Sequence, residues 1–477
     1  MMASPNISFD SIPSSIRKPG KYFEYNTKLA VRTLPTNLQK VLLVGQRLAS
    51  GAHPALVPVD VFSDQEAADL FGRGSYAHLM ATAAITANRY VQLTMIAVDD
   101  AEAGVAAAGS VALAGPASGS GGLTVRIGDT RVDIAFAAND TAEALAANLV
   151  EQFGKQPDLP VVAALDVNDK TKVVLTARNK GEAGNGIKLR ATSTGNGVTA
   201  TVVPMAGGLN DPDLAPALAA VFAAGHNIIA SPFTTATALT ALRAHLDAVS
   251  GPMEMRGARG AAGHPGTLAA ASTLAKAING GRVTMGWHPG SRKLPCEIAA
   301  AYAAVIASEE DPARPLNTLP LEGLDVTDPE DRPGRTEQEN ALYNGLSPFE
   351  IGPGDKVQIV RAISTYIKDP QGVDDVSLLD ITTIGTLDYV RKACRERIAL
   401  RFPRDKKSRR TAPRVRSELL DVLTKLEELE IVENVEANKD GLIVEDDSQD
   451  VNRLNAKIPC DVVNGLHVFA GRIDLLL

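Results

Sequence analysis

The stretch KVLLVG at residues 40–45 decides the fold, because it is a continuous apolar run that ends in glycine. Runs of this kind are typical of strands in a parallel sheet that is covered on both faces. A second such run, VQLTMIAV, follows at 91–98. Between them lie the capping box SDQE at 63–66 and a predicted helix over 75–89. Strand, helix and strand in this order indicate an α/β domain.

The same pattern returns in the second half of the chain. The sequence predicts strands in HNIIASP (226–232), RVTMGW (282–287) and KVQIVRAIST (356–365), with helices over 235–249, 267–278 and 295–308. A second capping box, TEQE at 336–339, predicts the start of a short helix. We therefore expect one mixed-sheet α/β core that is discontinuous in sequence, built from residues 26–104 and 207–370.

A change of composition separates the two halves of this core. Residues 101–122 read AEAGVAAAGSVALAGPASGSGG, which is typical of a linker. Short β-rich runs separated by glycine turns then continue to residue 204, interrupted by one predicted helix at 141–153. The pattern predicts a small β-rich peripheral domain at 105–206, inserted into the core and entered and left through glycines.

Two opposite charge runs mark a C-terminal α+β domain, which we place at 371–465. Residues 391–416 carry twelve Lys or Arg against two acids, and residues 418–450 carry twelve acids against two Lys. The basic run lacks the interleaved aromatic residues of single-stranded nucleic-acid sites. It favours docking onto an acidic protein surface. Neutralisation by the acidic run, within the chain or across a subunit boundary, is the alternative.

Both ends of the chain are predicted to be extended arms, at 1–25 and 466–477. Apolar and polar residues alternate in each, as in an added strand. A single short strand is unstable in water and needs a sheet to join. A frayed terminus is the alternative reading of the first arm. The apolar positions are Ile7, Phe9 and Ile12 in the first arm and Phe469, Ile473, Leu475 and Leu477 in the second.

Signals of catalysis, metal binding and cofactor binding are lacking in the sequence. GEAGNGIK at 181–188 has isoleucine where a phosphate-binding loop requires lysine. Cys296, Cys394 and Cys460 lie far apart, and neither His264 nor His288 has a nameable catalytic partner. We expect no catalytic residue, no metal and no cofactor. A net charge of −8 argues against coating nucleic acid. With no signal peptide and no run of about 18–20 apolar residues, we expect a soluble protein in a reduced, cytoplasm-like compartment.

Several stretches, in their order along the chain, resemble the contractile-tail sheath proteins of Mu-like bacteriophages. The resemblance covers most of the chain outside the insertion. The stretches are IPSSIRKPGKYFEYN (12–26), RPLNTLPLEGL (314–324), ENALYNGLSPFEI (339–351), KVQIVRAISTY (356–366), DVSLLDITTIGTLDYVRKACRERIALRFPRDK (375–406) and VVNGLHVFAGRIDLLL (462–477).

The resemblance implies a core that is subtilisin-like in fold but not in activity. It implies hexameric rings stacked around a tail tube, terminal arms that add strands to neighbouring subunits, and contraction that drives the tube through the host envelope. Expected partners are further copies of the chain, the tube protein, and baseplate and tail terminator proteins, without nucleic acid or membrane insertion. The expected location is the virion, after assembly in the host cytoplasm. Expected tube contacts are Arg404, Lys406, Lys407, Arg409 and Arg410, with a predicted helix at 387–400 as their scaffold.

Three other functions stay open from the sequence alone. The first is a true or degenerate subtilisin-like hydrolase, whose triad members need not be adjacent in sequence. The second is a nucleic-acid-binding module centred on residues 401–416, whose affinity would fall steeply with salt. The third is another tail component, such as a tube or baseplate subunit, although these resemble the quoted stretches far less.

Overall fold

The computed structural model describes residues 17–23, 34–194 and 197–476. The arm positions Ile7, Phe9, Ile12 and Leu477 lie outside these ranges. The first part of the core alternates strands and helices, as the sequence predicts. Its elements are β1 (Lys40–Gln46), β2 (Val59–Asp60), α1 (Asp64–Phe71), α2 (Tyr76–Ala87) and β3 (Gln92–Val98).

The predicted insertion forms two antiparallel sheets and one long helix. Its elements are β4 (Ala108–Ala114), β5 (Gly121–Ile127), β6 (Thr130–Phe136), α3 (Ala142–Gly154), β7 (Val161–Leu165), β8 (Lys172–Ala177), β9 (Leu189–Ser193) and β10 (Thr199–Ala206). Four strands pair in the order β10-β4-β8-β7, and three pair in the order β6-β5-β9. The short 3₁₀ turn Glu182–Gly186 connects β8 to β9.

The linker interpretation of residues 101–122 is wrong. Residues Ala108–Ala114 form β4, which pairs with both β10 and β8 and is therefore an interior strand. Small residues are required there because neighbouring side chains crowd the backbone. A Cβ on Gly109 would lie 2.8 Å from Leu189 Cδ1. An Ala- and Gly-rich stretch thus builds a close-packed strand here.

The chain then returns to the core. Its elements are α4 (Ala215–Ala220), β11 (Ile228–Ala230), α5 (Ala236–Ser250), β12 (Arg259–His264), α6 (Leu268–Ile278), β13 (Val283–Trp287), α7 (Pro295–Ile306), α8 (Arg335–Tyr343), β14 (Ser347–Gly352) and β15 (Lys356–Ile359). A 3₁₀ turn at Pro329–Asp331 precedes α8. The strand expected over 356–365 therefore ends at residue 359. The capping box expected at Thr336 is shifted, because Glu337 Oε2 accepts from the backbone N–H of Gly334, which is the N-cap.

One eight-stranded sheet organises the core, in the order β15-β14-β13-β12-β11-β1-β3-β2. The six inner strands are parallel, and each edge strand is antiparallel to its neighbour. Successive residues of a strand point to opposite faces. Val41 and Leu43 accordingly join α2 and α7 in one buried cluster, while Leu42 and Val44 join α5 and α6 in another. Both faces of β1 are covered, as its continuous apolar sequence predicts.

The C-terminal domain is built around two long helices. Its elements are α9 (Ile381–Arg401), α10 (Thr411–Glu428), β16 (Val432–Glu433), α11 (Val435–Asn438), β17 (Ile443–Asp446), β18 (Leu454–Lys457) and β19 (Asp461–Val462), with a 3₁₀ turn at Lys439–Gly441. Its own apolar cluster includes Tyr389, Val422 and Leu426. The helix expected at 387–400 begins six residues earlier, at Ile381.

Candidate functional site

Among the described residues, three of the basic run form ion pairs with the acidic run within the chain: Arg397, Arg401 and Lys407. The side chain of Arg397 on α9 is only 4% exposed, and its Nη1 donates to Asp421 Oδ2 at 2.5 Å and to Glu418 Oε2 at 3.2 Å. Both acids lie on α10, so these ion pairs tie the two helices together. The sequence shows the opposite charges, but the pairing requires the helix hairpin.

The loop between α9 and α10 contains all five residues predicted to contact a tail tube. Lys407 is half-buried, and its Nζ lies 3.1 Å from Asp446 Oδ1 and donates to the Val451 carbonyl at 2.8 Å. Lys407 therefore fastens the loop to the hairpin of β17 and β18. In the described part of the chain, the other four are exposed and have no ion pair. They are Arg404, Lys406, Arg409 and Arg410. We call these four the basic loop patch.

The C-terminal segment is anchored up to His467. Strand β19 pairs with β16, and Val463 N–H donates to the Ile431 carbonyl at 3.3 Å. The ring of His467 lies beside Asn317, with Nδ1 3.0 Å from Nδ2, and its Nε2 is 3.5 Å from Asp380 Oδ1. Burial lowers the pKa of His467, assisted by the nearby Arg361 charge and opposed by Asp380.

Beyond His467 the arm is exposed. Five apolar side chains are between 79% and 98% exposed; they are Val468, Phe469, Ile473, Leu475 and Leu476. No strand is assigned from residue 463 to residue 476. An exposed apolar segment of this length marks an interaction site rather than ordinary surface. The strand addition predicted for Phe469, Ile473 and Leu475 stays a prediction, because consecutive residues such as Leu475 and Leu476 are both exposed.

The C-terminal domain contains an apolar groove that was not predicted from the sequence. Its volume is about 960 Å³, and its walls come from α9, α10 and the hairpin of β17 and β18. Val390, Cys394 and Ile398 form its floor on α9. Their spacing of four residues is the sequence signal that could have found it. Among the described strands, β17 pairs only with β18 and β18 only with β17. Each of the two strands therefore has one unpaired edge.

The histidines near serine residues do not form a catalytic arrangement. Ser291 Oγ donates to Asp325 Oδ1 at 2.5 Å, and His288 Nε2 faces the Asp325 backbone carbonyl at 2.8 Å. Burial lowers the pKa of His288 and would raise that of Asp325, but hydrogen bonds from Ser291 and the Arg292 N–H outweigh burial and lower the Asp325 pKa. The serine hydroxyl therefore bonds to a buried carboxylate, whereas the His288 ring is engaged by a backbone carbonyl, so these residues do not form a Ser-His pair.

His264 is likewise a structural residue. Its Nδ1 accepts from the Gly266 backbone N–H at 3.0 Å. Within residues 17–23, 34–194 and 197–476, no group of three or more His, Cys, Asp and Glu is arranged to hold a metal ion. No helix among those residues is long and apolar enough to cross a membrane.

The insertion covers the edge of the core sheet where open α/β sheets usually bind ligands, at the carboxyl ends of the strands. Gln46, at the end of β1, donates from Nε2 to Asp100 Oδ1 at 2.6 Å and to the Lys180 carbonyl at 2.8 Å. Asn179 is fully buried in the same place. Residues of the insertion thus occupy the space at the carboxyl end of β1.

The fold and these surfaces together define a structural subunit of a larger assembly. The chain belongs to the phage tail sheath family. The family models for the phage tail sheath protein central domain and the phage tail sheath C-terminal domain match residues 207–365 and 373–475. As a sheath protein it is a structural component of a phage tail and not an enzyme.

A close relative is the tail sheath protein of the Mu-like prophage FluMu of Haemophilus influenzae. It is 34% identical over 493 aligned residues, which cover 99% of this chain and 100% of the relative. The match therefore includes the insertion.

Solved structures show the same fold at low sequence identity. The sheath tail protein of Desulfitobacterium hafniense is 15% identical, with a TM-score of 0.53 over 94% of this chain and 97% of that one. A chain of the anti-feeding prophage baseplate, determined with six-fold symmetry, is 12% identical, with a TM-score of 0.51 over 97% of this chain and all of that one.

Proposed function

We propose that this sheath subunit polymerises as stacked six-fold rings around a tail tube, and that contraction of the assembly drives the tube through the host envelope. One observation carries the proposal: the exposed apolar arm after His467 has no partner in its own chain, within the part that the structure describes. The six-fold order is that of the baseplate assembly which contains a similar chain.

Burial of the arm on a neighbour would supply a driving force for polymerisation. Each fully buried side chain of the size of Phe469 or Ile473 contributes about 1.5–3 kcal/mol. Part of this gain is offset by ordering of the arm. Backbone hydrogen bonds to an unpaired strand edge would add affinity and fix register. We propose the same role for Ile7, Phe9, Ile12 and Leu477, which lie outside the described residues.

The basic loop patch is the proposed contact with the tube. Its four exposed cations suit an acidic tube surface, whereas Lys407 is occupied by Asp446. We also propose baseplate and tail terminator proteins as partners, and assembly in the host cytoplasm before the sheath becomes part of the virion. An arm that bends while its strand pairing persists would let subunits rearrange without separating.

Electron microscopy of three purified proteins tests this function. The full chain should form rings or tubes with six-fold end views. A chain truncated after His467 keeps the anchor but loses the arm, and it should remain monomeric with nearly unchanged circular dichroism. The control Arg472→Gln with Asp474→Asn changes the polar positions of the arm and should still polymerise. Ordered tubes of normal length from the truncated chain would show that the arm does not link subunits.

A further inference from the structure

A polar cavity of about 370 Å³ lies between the core and helix α9. Its charged lining consists of one acid and five basic residues. These are Asp388 against Lys40, Arg256, Arg259, Lys392 and Arg395. Arg256 has a partner outside this lining, Glu254 at 2.5 Å, and Lys40 and Arg395 are exposed. The unbalanced charge away from bulk water is therefore that of Arg259, because a charge removed from water needs a partner.

Arg259 is the buried member of this lining. The residue is 9% exposed, and its Nη2 donates to Gln39 Oε1 at 3.1 Å. Its Nε and Nη1 have no acceptor among the described residues. A guanidinium group has five N–H donors in a fixed plane, so most of this group's capacity is unused. Burial lowers the pKa of Arg259, which reflects a cation held away from water.

The nearby carboxylate is already engaged by other arginines. Asp388 accepts from both terminal nitrogens of Arg282, at 2.6 and 3.0 Å, and from Arg391 Nη2 at 2.9 Å. Two guanidinium groups other than that of Arg259 therefore engage this carboxylate. Lys392, further along α9, donates to the neutral Thr36 carbonyl at 2.7 Å and gains no counter-charge there.

Two glycines in the lining leave room for charged side chains. Gly385 lies inside α9, where glycine costs about 1 kcal/mol relative to alanine. A Cβ at this position would come within 2.9 Å of Arg259 Nη1. On the core side, a Cβ on Gly257 would come within 3 Å of the Asp388 side chain. The helix thus contains a residue of low helix propensity where the guanidinium group needs room.

We propose that this cavity binds a multivalent oxyanion of the phosphate or sulfate class, either free or as the terminal group of a larger molecule. Arg259 would bind it from the core side, and Lys392 and Arg395 from α9. A bound oxyanion would then hold α9 against the core through both sets of charges. The proposal does not depend on the mode of polymerisation or on contraction.

Isothermal titration of the full chain with sodium phosphate and sodium sulfate, at constant ionic strength set with sodium chloride, tests the site. We expect saturable one-to-one binding, weakened at least tenfold by Arg259→Gln. The double variant Lys392→Gln with Arg395→Gln changes side chains that are not deeply buried, so it should fold even if Arg259→Gln does not. It should also weaken binding at least tenfold. Glycerol phosphate distinguishes a free oxyanion from the terminal group of a larger molecule. If it binds more tightly than inorganic phosphate, the natural ligand is an attached group. If it binds equally or more weakly, the natural ligand is a free ion.

The matched control is Arg404→Gln with Lys406→Gln, which removes two exposed charges from the basic loop patch. Its affinity for phosphate should equal that of the unmodified chain. Equal weakening in both double variants would mean that anions only accumulate around positive charge, and the proposed site would be wrong. Absence of saturable binding by the unmodified chain at about 10 mM anion, where the binding free energy is below about 3 kcal/mol, would also overturn the proposal.

Discussion

Asn179 Oδ1 accepts a hydrogen bond from the backbone N–H of Tyr76 at 3.1 Å, although 103 residues separate them. Asn179 belongs to the insertion and Tyr76 begins helix α2 of the core. The Asn179 Nδ2 also donates to the Arg47 carbonyl at 2.9 Å and to Asp100 Oδ1 at 3.1 Å. One fully buried side chain thus joins the insertion to the first helix and to the end of β1.

We expect Asn179→Ala to lower the free energy of unfolding by about 2–4 kcal/mol, because it leaves buried backbone groups without partners. Asn179→Asp keeps an acceptor for Tyr76 but places a carboxylate beside Asp100, so it should be at least as destabilising. Thermal unfolding of each variant measures the effect. The control is Asn168→Ala in an exposed loop, which should change stability by no more than about 0.5 kcal/mol. A melting temperature for Asn179→Ala equal to the control's would mean that water replaces these hydrogen bonds.

The insertion shares a buried cluster with the core. Val111 and Leu123 of the insertion belong to the same cluster as Met80 and Tyr302 of the core. The hydroxyl of Tyr76 lies 3.3 Å from the position of a Cβ on Gly184, within the insertion. Deletion of the insertion would therefore expose a face of α2 to water.

The test is a shortened chain in which a short linker joins Asp99 directly to Asn210. We expect this chain to retain the parallel sheet of the core, but to unfold at a temperature several degrees lower than the full chain. The physical reason is the loss of apolar burial on α2, at about 25 cal/mol for each Å² exposed. Circular dichroism during heating measures this. The newly exposed apolar face of α2 could also lower the solubility of the shortened chain. Tyr76→Ser in that chain makes this face more polar, and it should restore solubility if the exposed face lowers it. An unchanged melting temperature would show that the two regions are independent.

Strands β1, β3 and β13 could be predicted because each is an apolar run, whereas the interior strand β12, with the sequence RGAAGH, was missed because it lacks large apolar residues. Strand β4 could not be predicted, because stretches rich in Ala and Gly occur both in linkers and in closely packed strands. Only the close approach of Leu189 to Gly109 in the folded chain shows that this stretch is a packed strand. The equal and opposite charges around residues 391–450 were visible, but the Arg397–Asp421 ion pair depends on how two helices cross. Lys407 was grouped with the tube contacts because spacing alone does not show that Asp446 folds back onto it.

Acid should destabilise the folded chain through its buried histidines. Burial is the largest cause of a lowered pKa at His78, His226, His245, His264 and His288. A lowered folded-state pKa means that the unfolded chain binds more protons below about pH 6.5. The stability contributed by these neutral histidines should therefore be fully present above that pH and should decrease as the pH falls below about 6.5.

Urea unfolding at several pH values measures this dependence. His264→Asn provides the matched variant, since the amide oxygen can accept from the Gly266 N–H as Nδ1 does but does not titrate. It should reduce the slope by up to one proton, or about 1.4 kcal/mol per pH unit. Identical slopes for the variant and the unmodified chain would exclude His264 as a contributor.

Charge reversal in the basic loop patch should weaken docking on tubes and leave the subunit folded. The change is Arg404→Glu with Lys406→Glu, two exposed residues without ion pairs among the described residues. Each exposed pair with an acidic tube would contribute roughly 0–1 kcal/mol, but many subunits act together along a tube. Co-sedimentation with tubes should therefore fall sharply, and for the unmodified chain it should fall as salt shortens the screening length.

Lys407→Ala separates tube docking from local folding. Loss of its contacts with Asp446 and Val451 should loosen the β17–β18 hairpin, seen as faster hydrogen exchange there, while tube binding at low salt changes little. Polymers formed without tubes serve as the control for the charge-reversed variant, and they should form normally because the variant leaves the arm after His467 unchanged. If the reversed variant still covers tubes at low salt but no longer retards DNA in a gel, the patch binds nucleic acid instead. That result would remove the loop from the tube interface and leave the lining of the sheath to other residues.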